Sequence, residues 1–120
     1  MKPVNIKEKF SLFNEYWTPK IIGNCNGQLL KIAKTKGEFI WHSHENEDEV
    51  FIVIKGEFEL GFRGNSVLLK EGELYVVPKG VEHRPRAVSD EAWVMLVEPE
   101  STRHTGNVVS ELTRDNQERI

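Results

Sequence analysis

The stretch that decides the fold runs from residue 37 to residue 56 and reads GEFIWHSHENEDEVFIVIKG. His42 and His44 stand two positions apart, and alternate residues of a strand point to the same face. Two imidazoles on one face suit a divalent transition metal such as Fe, Mn, Ni, Zn, Co or Cu. Glu49 opens the next apolar run, so a hairpin between His44 and Glu49 would bring a carboxylate beside both histidines.

A second stretch, residues 72–83, reads GELYVVPKGVEH and supplies His83. The turn at residues 78–80 ends one strand and re-aims the chain, so that His83 enters the same interior. Three imidazoles and one carboxylate would leave two positions of a six-coordinate metal open. Each feature taken alone also fits a solvated surface, because exposed strands carry such histidine pairs by accident and acidic runs are usually turns.

Around these stretches, short apolar runs alternate with turn residues, which predicts an all-β sandwich or barrel. Gly56 and Gly72 stand where hairpins need a positive φ or close packing. The predicted strands are Lys20–Ile22, Gln28–Thr35, Glu38–Trp41, Val50–Ile54, Glu57–Phe62, Ser66–Leu69, Leu74–Val77, His83–Val88 and Trp93–Val97.

The two ends differ from this central pattern, which predicts an N-terminal helical arm (1–18), a barrel (19–99) and a polar C-terminal arm (100–120). Asn5 and Glu8 form a capping box, and Pro19 ends the helix. One apolar stripe follows at helical spacing: Ile6, Phe10, Phe13 and Trp17. The residues after Pro99 are polar, which predicts a surface arm or a frayed tail.

Composition narrows the class of protein. The chain has 120 residues, which fits one domain, and a net charge of −3, which gives no reason to expect nucleic acid or a membrane as partner. No apolar run is long enough for a secretory signal or a membrane span. Cys25 is the one cysteine, so a reducing compartment, the cytoplasm, is expected.

The two quoted stretches resemble the two motifs of the cupin family. The first motif is Gly, five residues, His-x-His, three or four residues, Glu, six residues, Gly; the second is Gly, five residues, Pro-x-Gly, two residues, His, three residues, Asn. Two positions depart from the pattern: four residues instead of five separate Gly37 from His42, and Ala87 stands where the second motif has Asn. Asp48 is the alternative carboxylate, but only Glu49 also keeps the six-residue spacing to Gly56.

The resemblance implies a double-stranded β-helix, or jelly-roll barrel, with a short N-terminal helix in front of it. It also implies that His42, His44, Glu49 and His83 hold one divalent metal. Small single-domain cupins, often described as mannose-6-phosphate isomerase-like, form dimers through sheets and N-terminal segments. The resemblance therefore implies a homodimer, and the N-terminal aromatics would serve either that interface or packing within the chain.

Further candidate residues surround the predicted metal. Apolar side chains are expected to line a pocket for a small molecule, or else to be plain core: Ile40, Phe51, Val53 and Met95. Residues 93, 95 and 97 alternate with residues 94 and 96, and one of these sets faces inward. Glu47 is a candidate general base or a solvated turn residue. Arg84, Arg86 and His104 are candidate ligand contacts with equally good structural interpretations.

Two functions follow from these patterns. The first is a metal-dependent enzyme acting on a small molecule, for which the cupin resemblance implies dioxygenase, isomerase or lyase chemistry. The alternative is a non-catalytic protein in which the metal helps to hold a sugar or an organic acid. A purely structural metal site fits less well, because such sites are usually closed.

Overall fold

The computed structural model describes residues 2–113 and 116–120; Met1, Arg114 and Asp115, which belong to the predicted arms, lie outside them. Its elements are α1 (Ile6–Phe10), β1 (Lys20–Cys25), β2 (Gln28–Thr35), β3 (Glu49–Lys55), β4 (Phe58–Phe62), β5 (Asn65–Leu69), β6 (Leu74–Val77), β7 (Arg84–Ala87) and β8 (Ala92–Pro99). The predicted all-β jelly roll with a short N-terminal helix is confirmed. Among the described residues, no helix has the length and apolar character that crossing a membrane requires.

The strands form two antiparallel sheets that face each other. The larger has the order β1-β2-β8-β3-β6 and the smaller the order β5-β4-β7. One core fills the space between them, with side chains from the larger sheet such as Phe51 and Leu96 meeting Phe58 and Leu60 of the smaller one. Burying a large apolar side chain contributes about 1.5–3 kcal/mol, so the period-two pattern of these strands drives the sheets together.

The alternation along β8 decides which side chains face the interior. Val94 and Leu96 belong to the core between the sheets. Met95 points the other way and packs with Phe10 and Ile32 on the outer face of the large sheet. Met95 was expected to line the pocket, and the structure corrects this, because neighbouring residues of a strand face opposite sides.

The predicted strand Glu38–Trp41 is not a regular strand. Glu38 pairs with Arg86 and His42 pairs with His83 through isolated bridges. In a regular antiparallel ladder, the residue numbers of paired positions have a constant sum. The sum is 124 for the first bridge and 125 for the second, so the register shifts by one residue between them. The shift interrupts the ladder just before the histidine pair and still holds the segment beside β7.

The N-terminal helix is shorter than its apolar stripe predicts. Asn5 accepts a hydrogen bond from Glu8 N (3.0 Å), as expected of the cap, but the helix ends at Phe10. Ser11 closes the last turn with hydrogen bonds to Glu8 O, and Trp17 has a φ of 54°, which no helix allows. Phe10 and Phe13 are buried within the chain, so packing within the chain explains them.

The C-terminal segment is neither a frayed tail nor a simple surface arm. Thr102, His104 and Thr105 are buried against the barrel. Further on, Ile21 exchanges backbone hydrogen bonds with the end of the chain: its N donates to Glu118 O (2.8 Å) and its O accepts from Ile120 N (3.0 Å). Polar composition alone hid this packing, because buried polar side chains and backbone hydrogen bonds contribute to it.

Candidate metal centre

Four side chains that the sequence predicts as metal ligands meet at one point inside the barrel. His42, His44, Glu49 and His83 each offer one ligand atom, and these atoms lie within 4.8 Å of one another. All four residues are buried, with exposed fractions between 0 and 3%. The predicted quartet is therefore a preformed cluster in the structure.

Backbone pairing brings the cluster together from distant parts of the sequence. His42 N donates to His83 O (3.0 Å), and His83 N donates to His42 O (2.9 Å). Glu49 is the first residue of β3 and lies opposite Val77, at the end of β6. The turn at residues 78–80 follows β6 directly. It redirects the chain so that His83 lies beside Glu49.

Backbone carbonyls orient two of the three imidazoles. His42 Nδ1 lies 2.9 Å from Ile40 O, and His83 Nδ1 lies 3.0 Å from Val81 O. A carbonyl can only accept, so Nδ1 carries a proton in both rings. This orientation leaves His42 Nε2 without a hydrogen-bond partner and places His83 Nε2 3.4 Å from Glu49 Oε1, so the Nε2 atom of each ring is positioned to bind a metal.

Several buried nitrogens in the cluster have no hydrogen-bond partner. These are His42 Nε2 and both ring nitrogens of His44. His44 Nε2 lies 3.2 Å from Glu49 Oε1, within the distance of an ion pair. Leaving a buried polar atom unpaired costs about 1–3 kcal/mol, and a cation among these atoms would remove that cost, so the residues fit a metal.

Burial and mutual charge set the protonation of the cluster. Burial, reinforced by His83, lowers the pKa of His42 to about 4. Burial alone would also lower the pKa of His44, but the Glu49 carboxylate raises it. Burial likewise opposes ionisation of Glu49, yet the neighbouring His44 and His83 hold its pKa well below its usual range. The carboxylate is thus ionised and ready to bind a cation.

The choice between Asp48 and Glu49 is settled by position. Asp48 is exposed and its Oδ1 accepts a hydrogen bond from Lys79 N (2.8 Å). That bond ties the acidic turn to the turn before His83. Glu49 is the carboxylate in the cluster, and Asp48 serves the turn.

Glu47 lies on the outer side of His44. Its Oε1 is 3.8 Å from His44 Nδ1, while Nε2 of the same ring faces Glu49. The imidazole therefore stands between Glu47 and the centre of the cluster. This position suits a group that orients His44. No contact of Glu47 with the interior supports its predicted role as general base.

A small cavity adjoins the cluster. Its volume is about 30 Å³, enough for about two water molecules. Of the predicted pocket residues, Phe51 lines it, whereas Val53 lies deeper in the core and Ile40 contributes only its carbonyl. The lining residues are Trp17, Pro19, Ala33, Thr35, Phe39, His42, Glu49, Phe51, Phe58, Pro85, Val94, Leu96 and His104.

The two arginines near His83 point away from the cavity. Arg84 Nη1 lies 3.5 Å from Glu38 Oε2, and Arg86 Nε lies 3.2 Å from Glu59 Oε1. Pro85, between them, lines the cavity. Alternation along β7 therefore assigns both arginines to the outer surface, where they pair with carboxylates instead of contacting a ligand in the interior.

A buried ion pair behind Glu49 was not expected from the sequence. Lys31 Nζ lies 2.9 Å from Glu98 Oε1, and the two side chains are 1% and 0% exposed. Burial raises the pKa of Glu98 well above its usual range, and hydrogen bonding to the charged Glu49 raises it further. The signal in the sequence was Lys31 at an inward position of β2, between Leu29 and Ala33.

The C-terminal segment also contacts the ligand segment, which sequence reasoning missed. Asn107 N donates to Ser43 O (3.0 Å), and Ser43 N donates to Asn107 Oδ1 (3.0 Å). Gly106 has a φ of 59°, and a Cβ there would clash with Ser43 O and His42 Cδ2. These contacts fix the residue between the two histidines, so the C-terminal segment is part of the site.

The motif spacing, the jelly roll and the buried cluster all point to one family, and comparison with known proteins decides the question. Residues 28–98 match the family described as the Cupin domain. The chain belongs to the cupin family. In this cupin the Asn position of the second motif is taken by Ala87, which is buried in the core, so the departure costs no ligand.

Relatives of this cupin extend the similarity beyond the motifs. It is 34% identical over 83 residues to YdbB of Bacillus subtilis (strain 168), an uncharacterized protein, covering 68% of this chain and 67% of that one. A cupin-2 domain protein from Shewanella frigidimarina is 47% identical with a TM-score of 0.78, covering 80% and 93%. Protein NMB1881 from Neisseria meningitidis is 35% identical with a TM-score of 0.73, covering 82% and 99%.

Proposed function

We propose that this cupin binds one divalent transition metal through His42, His44, Glu49 and His83 and acts as an enzyme on a small oxygen-bearing molecule. The observation that carries the proposal is the buried cluster, whose four ligand atoms lie within 4.8 Å of one another. A divalent metal held there would supply Lewis-acid or redox chemistry. Fe, Mn, Ni, Zn, Co and Cu all accept this donor set.

The surroundings of the cluster suit chemistry protected from water. Apolar side chains such as Phe51, Phe58 and Leu96 form most of the cavity wall, and low local polarity strengthens electrostatic interactions with a bound ligand. The hydroxyl of Thr35 is held by Ala92 O (2.8 Å). Among the described residues that line the cavity, His104 is the titratable group outside the ligand set, and we propose it as the group that moves a proton.

A subtype that acts on sugar phosphates has no support from the cavity. None of the described residues that line it is Lys or Arg, and such a side chain is the usual partner of a phosphate. The mannose-6-phosphate isomerase-like subtype therefore stays a prediction from resemblance, and small uncharged or carboxylate-bearing molecules are the better candidates.

The scarcity of acid and base groups favours a second candidate, a non-catalytic protein in which the metal helps to hold an organic acid. In this case His104→Ala would weaken the binding of the organic acid, and neither the variant nor the wild type would show turnover. Turnover of an oxygen-bearing substrate by the metal-loaded protein, lost in His104→Ala while the metal content is kept, would favour the enzyme.

Elemental analysis of the protein, purified without added metal or an affinity tag, tests the metal site. We expect about one equivalent of one first-row divalent metal, since four preformed ligands bind such ions tightly. The double variant His42→Ala, His83→Ala should lose it. His104→Ala is the matched control, because it removes a buried histidine outside the cluster and should keep the metal.

The metal site would be refuted by less than about a tenth of an equivalent in wild-type protein after reconstitution with each candidate ion. Equal metal content in the wild type and in the double variant would refute it as well, because the metal would then be bound elsewhere.

We also propose that the protein acts in a reducing compartment such as the cytoplasm. Cys25 is the one cysteine of the chain and is exposed in the structure. An exposed unpaired thiol persists where thiols are kept reduced.

A further inference from the structure

The wall of the metal cavity has one side chain that also reaches solvent. Of the described residues that line the cavity, Trp17 is half-buried and every other one is buried. Trp17 does not belong to the barrel strands, because it lies in the segment between α1 and β1. A side chain that faces both the cavity and the solvent is where a ligand entering from this side must pass.

Aromatic contacts connect Trp17 to the ligand cluster. Its ring stacks on Phe39 with 4.7 Å between centroids. Phe39 in turn stands edge-on to His42, at 5.6 Å, and lies 5.6 Å from His104. Removal of the outer ring would therefore expose Phe39, which is 6% exposed, and shorten the path to a metal ligand and to the proposed proton-transfer group.

Trp17 is attached to the end of β2, and its own backbone is strained. Its backbone N donates to Lys34 O (2.9 Å), and its Nε1 donates to Lys36 O (2.9 Å). Its φ of 54° lies in the left-handed region, which bulky residues avoid and which is found mainly where the surrounding structure imposes it. The hydrogen bond of Nε1, the stacking on Phe39 and packing against the core hold the ring in place, although the backbone would prefer another conformation.

Because the cavity is small, the position of the Trp17 ring limits the size of the ligand that fits. About 30 Å³ holds about two water molecules, so a molecule that contains a six-membered ring does not fit while Trp17 is in place. We propose that Trp17 determines the size of the molecules that reach the metal, admitting small ligands and excluding aromatic-sized ones. The assignment rests on the proposed metal site.

Two carboxylates of different size give a direct test. Protein loaded with Co²⁺ alone is titrated with formate and with benzoate, and the visible absorption of Co²⁺ reports binding. Both probes offer the same ligand group, so their ratio of dissociation constants isolates size. Wild-type protein should bind formate more tightly, and Trp17→Ala should improve benzoate relative to formate by about tenfold or more.

Two further variants serve as controls. Tyr16→Ala alters the same segment next to Trp17, but Tyr16 is outside the cavity wall and bonds Glu91 (2.6 Å), so its ratio should match the wild type. Trp17→Leu keeps an apolar side chain of intermediate size and should give an intermediate ratio. It also serves if the alanine variant does not fold.

The outcomes separate this assignment from the proposed function. Uptake of Co²⁺ with the same benzoate-to-formate ratio in wild type, Trp17→Ala and Trp17→Leu would overturn the role of Trp17 and leave the metal site standing. A similar change in Tyr16→Ala would also overturn it, because any loosening of the segment would then suffice. Failure of wild-type protein to take up Co²⁺ would overturn the proposed function and this assignment together.

Discussion

Single residues of the cluster differ in protonation although they lie side by side. His42 is buried next to His83, and burial together with this neighbour lowers its pKa to about 4. His44 is buried too, but Glu49 beside it raises its pKa. Without metal, the cluster therefore holds a neutral His42 and keeps a proton on His44 to a higher pH, which a metal must displace.

We predict that the metal-free protein loses stability as the pH falls from about 6.5 to about 4 through His42. In this range the unfolded chain binds a proton at His42 and the folded chain does not, so the free energy of unfolding falls by about 1.4 kcal/mol per pH unit for this group. Urea denaturation at several pH values measures the slope.

The matched variant is His42→Leu, which removes the group but keeps an apolar side chain of similar size. Its stability should fall less steeply between these pH values than that of the wild type. His44 has the opposite sign, because its raised pKa stabilises the folded state at low pH, and it is present in both proteins. Equal slopes would contradict the assignment of a lowered pKa to His42.

Pairing between strands brings together charged side chains that are far apart in the sequence. Lys31 of β2, Glu98 of β8 and Glu49 of β3 lie on the inner face of three neighbouring strands. The pair of Lys31 and Glu98 is buried, and burial together with the neighbouring Glu49 raises the pKa of Glu98. We interpret the pair as support for the metal-binding carboxylate.

We predict that Glu98→Ala destabilises the metal-free protein by about 3 kcal/mol, because it leaves the buried Lys31 Nζ without the Glu98 oxygen that accepts its hydrogen bond. The double variant Lys31→Met, Glu98→Leu should lose clearly less, since it replaces both charges with apolar groups of similar size. Chemical denaturation measures both values. If the double variant is as unstable as Glu98→Ala, the cost arises from lost packing and the charge argument fails.

At the scale of the whole molecule, the outer face of the large sheet is apolar along two rows. Strand register aligns Val76 with Val50 and Val97, and aligns Leu74 with Ile52 and Met95. Leu74 and Val76 are 57% and 44% exposed. The N-terminal segment packs against the far end of this face, and the end at β6 is open. We propose that a second copy of the chain covers it.

We predict a homodimer that Leu74→Glu, Val76→Glu converts to a monomer, because burying two carboxylates in an apolar interface is unfavourable. Light scattering after size-exclusion chromatography measures the mass, and metal content shows that the barrel is intact. Leu68→Glu is the matched control, because Leu68 is 47% exposed but belongs to the smaller sheet. A monomeric wild type would refute the dimer.

The sequence by itself determined the fold class and the ligand quartet. Period-two alternation and glycine-rich turns dictate strands, and His42, His44, Glu49 and His83 have a spacing that survives any small error in strand ends. Local chemistry also predicted the cap at Asn5. The alternation, the turns and the cap depend on neighbouring residues in the chain, so they can be derived without knowledge of long-range contacts. The quartet joins distant segments and was predicted from its match to the two cupin motifs.

Tertiary structure alone decided which face of each strand is inside and what closes the cavity. Periodicity cannot distinguish the two faces of β8, so Met95 and Leu96 were interchangeable until the sheets were packed. Lys31 and Glu98 meet only through pairing of β2 with β8. Trp17 and Asn107 reach the site from opposite ends of the chain, because contacts between distant segments depend on the global packing of the barrel.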